Sequence, residues 1–173
     1  LYPANVLFLL LDPDLALRGV MFFNLTVAGV SAYLLCKELG LTQAAAIGGA
    51  LAFELGNATA FVTVWAPQPV GPYAWFPAAM LCCERIVREP SVRRGVALGI
   101  VLSLALLAGF PQTVVFAYEL IALRVVWEFA SRRVRRPAPV VLVTTLGLVL
   151  PVLLDAFQLL PAFEVVRESL RSE

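Results

Sequence analysis

Long apolar blocks that alternate with short basic turns are the main feature of this sequence. Six blocks approach the length of about 20 residues that an α-helix needs to cross the hydrocarbon core of a bilayer. The pattern predicts an all-α fold, a polytopic transmembrane helix bundle of about six spans in a single domain, residues 1–173. The predicted spans are residues 13–39, 43–64, 73–89, 91–108, 112–131 and 140–160.

Residues with known helix-end preferences define where these helices begin. Asp12 and Thr42 can each cap a helix N-terminus through a side-chain oxygen. Pro13 suits the first helical position, and Gly40 suits the residue that follows a helix C-terminus. The first two spans are therefore predicted to form a tight helical hairpin around residues 40–42.

Prolines define where the chain leaves the helical conformation. Four prolines and glycines between Trp65 and Pro72 predict a non-helical loop, because proline lacks the amide proton that a helix interior uses. Gly109-Phe110-Pro111 divides an apolar run that is too long for one span. Pro161 is predicted to end the last helix.

Composition and charge placement indicate a membrane location and an orientation. Apolar residues make up 61% of the chain and charged residues 14%, which would leave a soluble domain of 173 residues short of polar surface. The basic residues cluster at Lys37, in residues 85–94 and in residues 132–136, and pairs of apolar blocks separate the clusters. The positive-inside bias places all three clusters in the cytoplasm and the polar turns outside. They carry no interleaved aromatic pattern of the kind that binds nucleic acid.

The sequence contains few residues of the types that enzymes use for catalysis or metal binding. Histidine is absent, which removes the commonest zinc ligand and general base. The three cysteines, Cys36, Cys82 and Cys83, set no disulfide framework and are interpreted as packing thiols. No metal-ligand spacing, phosphate-binding glycine loop or serine–histidine pair occurs. Candidate chemistry must therefore come from charges within the spans and from polar residues at their outer ends.

Charges within the spans each cost several kcal/mol unless they are paired or solvated. Arg18 and Asp155 have similar predicted depth, so we expect an ion pair between the first and last helices. Glu54 is predicted near the middle of the membrane. Arg124 and Glu128, four residues apart, are interpreted as part of a solvated cytoplasmic helix face.

The last span carries a stripe of small and polar residues at spacings of three and four. Such a face suits either close helix packing or the wall of an outward polar cavity, and the sequence leaves both open. The stripe consists of Thr144, Gly147, Pro151, Asp155 and Gln158.

Short motifs occur in a fixed order along the chain. They are Tyr2-Pro3-Ala4-Asn5, Ala52-Phe53 with Gly56, Ala74-Trp75-Phe76-Pro77 leading to Glu84-Arg85, Leu107-Ala108-Gly109-Phe110-Pro111-Gln112, and Gln158-Leu159-Leu160-Pro161 leading to Glu164 and Arg167. In this order they resemble the bacterial YfhO-like membrane proteins. The resemblance covers nearly the whole chain, although each motif alone is short.

This resemblance implies membership of the GT-C superfamily of multi-spanning glycosyltransferases. It implies a bacterial cytoplasmic membrane location, a polyprenyl-phosphate sugar donor and an envelope glycan or lipid acceptor on the extracytoplasmic face. The superfamily's catalytic acid usually lies in the first outer loop, which would precede Leu1, so we expect the chain to be a fragment. Phe110, and the segment from Trp65 to Gln68, stand where the family often has histidine.

The sequence therefore predicts part of a membrane glycosyltransferase whose catalytic residues are not identified. Asp12 and Asp14 are weak candidates for the catalytic carboxylate, and helix capping is their alternative role. No cofactor is indicated, and a divalent metal ion is left open. The alternatives are a transporter or flippase that uses Glu54, Glu119 and Asp155, and a non-catalytic scaffold. The predicted substrate-binding residues are Gln112, Gln158, Glu164 and Arg167.

Overall fold

A computed structural model describes residues 2–56, 70–131 and 137–168. All regular secondary structure in these ranges is helical, which confirms the all-α prediction. A 3₁₀ turn at Pro3–Val6 leads into the helices α1 Leu7–Leu10, α2 Pro13–Glu38, α3 Gln43–Glu54, α4 Val70–Ala74, α5 Phe76–Arg88, α6 Val92–Leu107, α7 Pro111–Ala130, α8 Pro137–Leu154 and α9 Ala156–Glu168.

Most of the helix-end predictions are confirmed. Helix α2 begins at Pro13, and the Thr42 hydroxyl accepts a hydrogen bond of 3.4 Å from the Ala45 amide at the start of α3. Gly40 and Gly109 have φ angles of +86° and +100°, the left-handed conformation in which glycine lacks a Cβ clash. Asp12 occupies the N-cap position of α2, but its side chain accepts no capping hydrogen bond, so that detail was wrong.

The loop predicted before the third span is partly helical. Val70–Ala74 forms α4, with Pro72 in its first turn, where a missing amide proton removes no intrahelical hydrogen bond. Residues 57–69, which include Trp65 to Gln68, lie outside the described ranges. The third predicted span is thus two helices, α4 and α5, that meet at Trp75.

The last predicted span is divided at a different place from the one predicted. Helix α8 ends before Asp155, and α9 continues through Pro161 as far as Glu168. Pro161 therefore does not end the helix. A proline inside a helix removes one backbone hydrogen bond and strains the preceding turn, and the helix can bend there and continue.

The core of the bundle lies between α5, α6, α7 and α8. Its fully buried side chains include Ile86, Leu98, Leu102 and Ile121, each 0% exposed. Helix α2 packs on α3 and α5 at one side of this core. Helices α2 and α3 run antiparallel, as the Gly40 turn requires, and a Cβ at Gly49 would lie 2.9 Å from the Cys36 Sγ.

Three glycines allow α6 and α8 to approach closely. A Cβ at Gly147 would lie 2.7 Å from Leu98 Cδ2, and a Cβ at Gly99 would lie 2.6 Å from Leu150 Cδ2. Gly95 also faces α8, since its Cβ would lie 2.9 Å from the Val143 carbonyl oxygen. The small-residue stripe of the last span is therefore a packing face over its first four members, Thr144, Gly147, Pro151 and Asp155, all of them buried.

Two described helices are long and apolar enough to cross a membrane. They are α2 and α8, and only 28% of the most apolar window of each is buried. Helix α7 has 20 residues but carries Glu119, Arg124 and Glu128, and α6 has 16 residues. By length and composition, the described residues thus support a membrane association through two helices.

Replacing Gly147 with alanine should destabilise the bundle, because the new methyl group overlaps Leu98 and overpacking typically costs about 1–3 kcal/mol. Gly48→Ala on α3 is the matched control, since nothing lies within 4 Å of its added Cβ. The control should be neutral or slightly stabilising, because alanine is the better helix former. Detergent-solubilised protein unfolded with increasing denaturant would give both midpoints, and equal midpoints would contradict the close α6–α8 contact.

Candidate functional site

The acidic and basic side chains that pair with one another gather at one end of the bundle, which we call the basic end. Glu38, the last residue of α2, accepts hydrogen bonds from Arg85 Nε at 3.0 Å and from Arg88 Nη1 at 2.9 Å. Arg94, in the first turn of α6, pairs with Glu89 at 2.7 Å. The α2–α3 and α5–α6 turns therefore lie at the same end, as the basic clusters predict. Residues 132–136 lie outside the described ranges.

A network of three charges lies inside the bundle next to the basic end. Arg124 of α7 donates to both carboxylate oxygens of Glu84 on α5, at 2.5 and 2.9 Å, and to Glu128 at 2.6 Å. Glu84 is 5% exposed and Glu128 is 9% exposed. The prediction that Arg124 and Glu128 form a solvated face was wrong. Arg124 and Glu128 do pair at their spacing of four residues. Their burial was not predictable from α7 alone, because the third member of the network, Glu84, lies on α5.

A cluster of hydrogen-bonding side chains, Tyr2, Asn24 and Trp75, lies where the middle of α2 meets the α4–α5 junction, and we call it the tyrosine cluster. The Tyr2 hydroxyl donates to Asn24 Oδ1 at 2.5 Å and accepts from Trp75 Nε1 at 3.1 Å. Tyr2 and Asn24 are each 4% exposed. Burial raises the pKa of the Tyr2 hydroxyl, and the hydrogen bond from Trp75 opposes that rise. The hydroxyl therefore remains a neutral donor at physiological pH.

The tyrosine cluster forms because the N-terminal segment folds back along α2. A Cβ at Gly19 would lie 2.8 Å from Leu7 Cδ1, so this glycine allows α1 to lie against α2. The fold-back carries Tyr2 to the middle of α2, where Asn24 is, and to the α4–α5 junction, where Trp75 is. Sequence reasoning missed this cluster. Asn24, an amide inside an apolar helix, was the available signal, but its partner Tyr2 lies 22 residues away, and Trp75 lies 73 residues from Tyr2.

Asp155 lies at the break between α8 and α9 and is 1% exposed. Its Oδ1 accepts a hydrogen bond of 2.7 Å from the Ser103 hydroxyl on α6, and its Oδ2 has no hydrogen-bond partner among the residues that the structure describes. Its backbone carbonyl accepts from the amides of Gln158 and Leu159, which starts α9. This carboxylate is therefore held by α6 and not by α2.

The predicted ion pair between Arg18 and Asp155 is wrong. Arg18 is exposed on α2, and Asp155 faces Ser103. Similar predicted depth was the basis of the pairing, but depth does not fix which helices are neighbours. Helix α2 packs mainly on α3 and α5, whereas α8 packs mainly on α6.

Two of the predicted substrate-binding residues lie at the end of the bundle opposite the basic end. Gln112 is exposed in the first turn of α7, and Gln158 is half-buried in the first turn of α9. Leu159 packs near Val114 and Leu106, so these two helix starts are close to each other. The remaining predicted residues are all exposed. Glu164 and Arg167 lie on α9, and the two candidate carboxylates, Asp12 and Asp14, lie at the start of α2.

Glu54 lies at the end of α3, on the rim of an open groove of about 460 Å³ between α2 and α3. Its carboxylate occupies the space that a Cβ at Gly29 would need. The groove is otherwise lined mainly by apolar side chains such as Phe22 and Ile47, with the Tyr33 ring. In residues 2–56, 70–131 and 137–168, no cluster of three or more acidic or cysteine side chains is positioned to hold a metal ion.

Comparisons with protein-family models, with curated proteins and with solved structures found no match for this chain.

Removing Arg124 should strongly destabilise the protein, because Glu84 and Glu128 would stay buried without a cation. Breaking a buried pair in this way typically costs about 3–5 kcal/mol. Arg124→Leu combined with Glu84→Gln and Glu128→Gln should recover much of the loss, since no charge is then left uncompensated. Arg93→Leu, at an exposed position on α6, is the matched control. Denaturant unfolding of the four proteins tests the network, and a triple variant as unstable as Arg124→Leu would refute it.

Proposed function

We propose that this chain is part of a polytopic membrane glycosyltransferase in the bacterial cytoplasmic membrane. The enzyme would transfer a sugar from a polyprenyl-phosphate donor to an envelope glycan or lipid on the extracytoplasmic face. The observation that carries the proposal is the separation of polar groups between the two ends of the bundle. Ion pairs collect at the basic end, and Gln112 and Gln158 lie at the other, beyond the tyrosine cluster at the middle of α2. The motif resemblance to YfhO-like proteins supports the same reading.

The six-span arrangement is part of this proposal. Helices α2 and α8 have the length and composition of spans. Helix α7 has the length of a span, and the ion pairs of Arg124 with Glu84 and Glu128 reduce the cost of placing its charges in a membrane. In this arrangement α6 forms a further span, and α4 with α5 forms an interrupted one. The positive-inside bias then places the basic end in the cytoplasm.

Sugar transfer from a lipid phosphate sets defined chemical requirements at the opposite end. A carboxylate must accept the proton of the acceptor hydroxyl, and cationic donors must stabilise charge on the departing phosphate. In our proposal Arg167 contacts that phosphate, because a planar guanidinium matches two phosphate oxygens. Glu164 lies one turn away, and the amides of Gln112 and Gln158 suit sugar hydroxyls. Asp12 and Asp14 remain the weaker candidates for the proton acceptor.

A transporter or flippase is the second candidate, and the placement of two carboxylates favours it. Asp155 is buried with one oxygen unpartnered within the described part of the chain, and Glu54 lines an open groove. Carboxylates at membrane depth are typical of proton and substrate paths. Proton-coupled flux in vesicles without sugar transfer would establish this candidate instead.

Orientation can be tested with single cysteines in a variant whose Cys36, Cys82 and Cys83 are replaced by alanine. A cysteine at Gln112 should react with an impermeant maleimide added to intact cells, because the start of α7 is placed outside. A cysteine at Arg93 is the matched exposed position and should react only after the cells are opened. Labelling of the Arg93 position in intact cells would overturn the orientation.

Arg167→Ala should weaken use of the donor by the full-length protein. We expect a loss of about ten- to a hundredfold in kcat/KM, since a hydrogen bond to a charged group contributes about 1.5–3 kcal/mol. Arg167→Lys should recover only part of it, because lysine supplies charge without the planar fork. Arg93→Ala at the basic end is the control and should leave transfer unchanged. Donor kinetics unaffected by Arg167→Ala would remove this residue from the site.

A further inference from the structure

Helix α7 has one face in the core and one face open. The open face is an apolar stripe interrupted by a single charged side chain, Glu119, and we call it the α7 stripe. Its apolar members are between 42% and 66% exposed: Val115, Phe116, Leu120, Leu123, Val126 and Trp127.

Glu119 lies near the middle of this helix. It is the ninth of the 20 residues of Pro111–Ala130, so at the helical rise it is about 12 Å from one end and about 16 Å from the other. Its side chain is exposed, and within the described ranges it makes no hydrogen bond or ion pair. If α7 spans the membrane, this carboxylate faces the hydrocarbon interior.

The cation nearest to Glu119 in the sequence, Arg124, cannot pair with it. Arg124 is five residues away, about 140° around the helix, and is bound to Glu84 and Glu128. A charge in the hydrocarbon interior costs several kcal/mol unless it is paired or solvated. An ionised Glu119 shielded from water is therefore stable only with a positive group that approaches the α7 stripe from outside the described bundle.

We propose that the α7 stripe is the docking surface for a membrane-spanning helix from outside these 173 residues, one that carries an arginine or lysine at the depth of Glu119. Charge complementarity identifies this occupant, and the apolar residues on both sides of Glu119 supply the helix contact. The proposal rests on the membrane placement given above and not on the transfer chemistry.

A second copy of the chain does not meet the charge requirement. A twofold axis along the membrane normal brings the same surface of each copy to the interface, so two Glu119 carboxylates would share one depth. Arg18 of a copy lies too far out. It is 20 residues, about 30 Å, from the end of α2 at Glu38, whereas Glu119 is 11 residues, about 16 Å, from the end of α7 at Ala130.

The test places a photo-crosslinking amino acid at Leu123 in the full-length protein in its own membrane. Leu123 is 66% exposed and one turn from Glu119, and Leu153 on α8 is the matched control at 68% exposed on an uncharged face. We expect Leu123 to form a polypeptide adduct whose peptide lies in a membrane-spanning segment and contains arginine or lysine. Leu153 should give mainly lipid adducts.

Variants of Glu119 then test the charge. Glu119→Lys should lower the Leu123 adduct by about tenfold or more, corresponding to at least about 1.4 kcal/mol, while the Leu153 pattern stays unchanged. Replacing the partner's cation with glutamate should restore the adduct in Glu119→Lys. Glu119→Gln removes the charge without adding repulsion, so it should give an intermediate yield of the Leu123 adduct. This variant keeps the test valid if the lysine variant does not fold.

Several results would overturn the proposal. They are adducts with lipid alone at Leu123, an adduct to a second copy of α7, a partner segment without a cation, and a yield that Glu119→Lys leaves unchanged. Rapid labelling of a cysteine at position 119 by a water-soluble maleimide would also overturn it, because a hydrated carboxylate needs no cation. None of these experiments measures sugar transfer. Their outcome would therefore be the same if the proposed enzyme activity were absent.

Discussion

The close contact between α6 and α8 is the constraint on which the rest of the bundle depends. Gly95, Gly99 and Gly147 let the two backbones approach without side chains between them. This approach buries Leu98 against α8 and brings Ser103 within hydrogen-bond distance of Asp155. Since little hydrophobic force joins helices inside a bilayer, such close van der Waals packing is the expected source of association in a membrane bundle.

Charge burial is the second constraint, and the described carboxylates meet it in different ways. Glu84 and Glu128 share one guanidinium, and Asp155 uses a serine hydroxyl. Glu119 has neither kind of partner within the described bundle. The contrast matters because the first two arrangements find a partner within this chain, whereas an ionised Glu119 needs water or a further polypeptide.

The fold was predictable where the determining signal is local. Thr42, Gly40 and Gly109 act on the residues next to them, so the hairpin and the α6–α7 break followed from the sequence. Pro161 did not end the helix, because proline is often but not always found at a helix end. The actual break lies at Asp155, whose side chain bonds to Ser103, 52 residues earlier. The Arg18–Asp155 pair failed for the same reason, since neighbour relations between helices are not encoded in any one helix.

The end of the bundle opposite the basic end was only partly predictable, and the limit is again one of long-range contacts. Gln112 and Gln158 lie at this end because α7 begins there and α9 begins where α8 ends. The tyrosine cluster was not expected, because it requires α1 to fold back beside Gly19 and carry Tyr2 to Asn24 and Trp75. That fold-back covers the N-terminal half of one α2 face and buries the Tyr2 hydroxyl at its end. A hydroxyl fixed in this way holds α2 and the α4–α5 junction in register, so the relative position of these helices depends on the N-terminal segment as well as on helix packing.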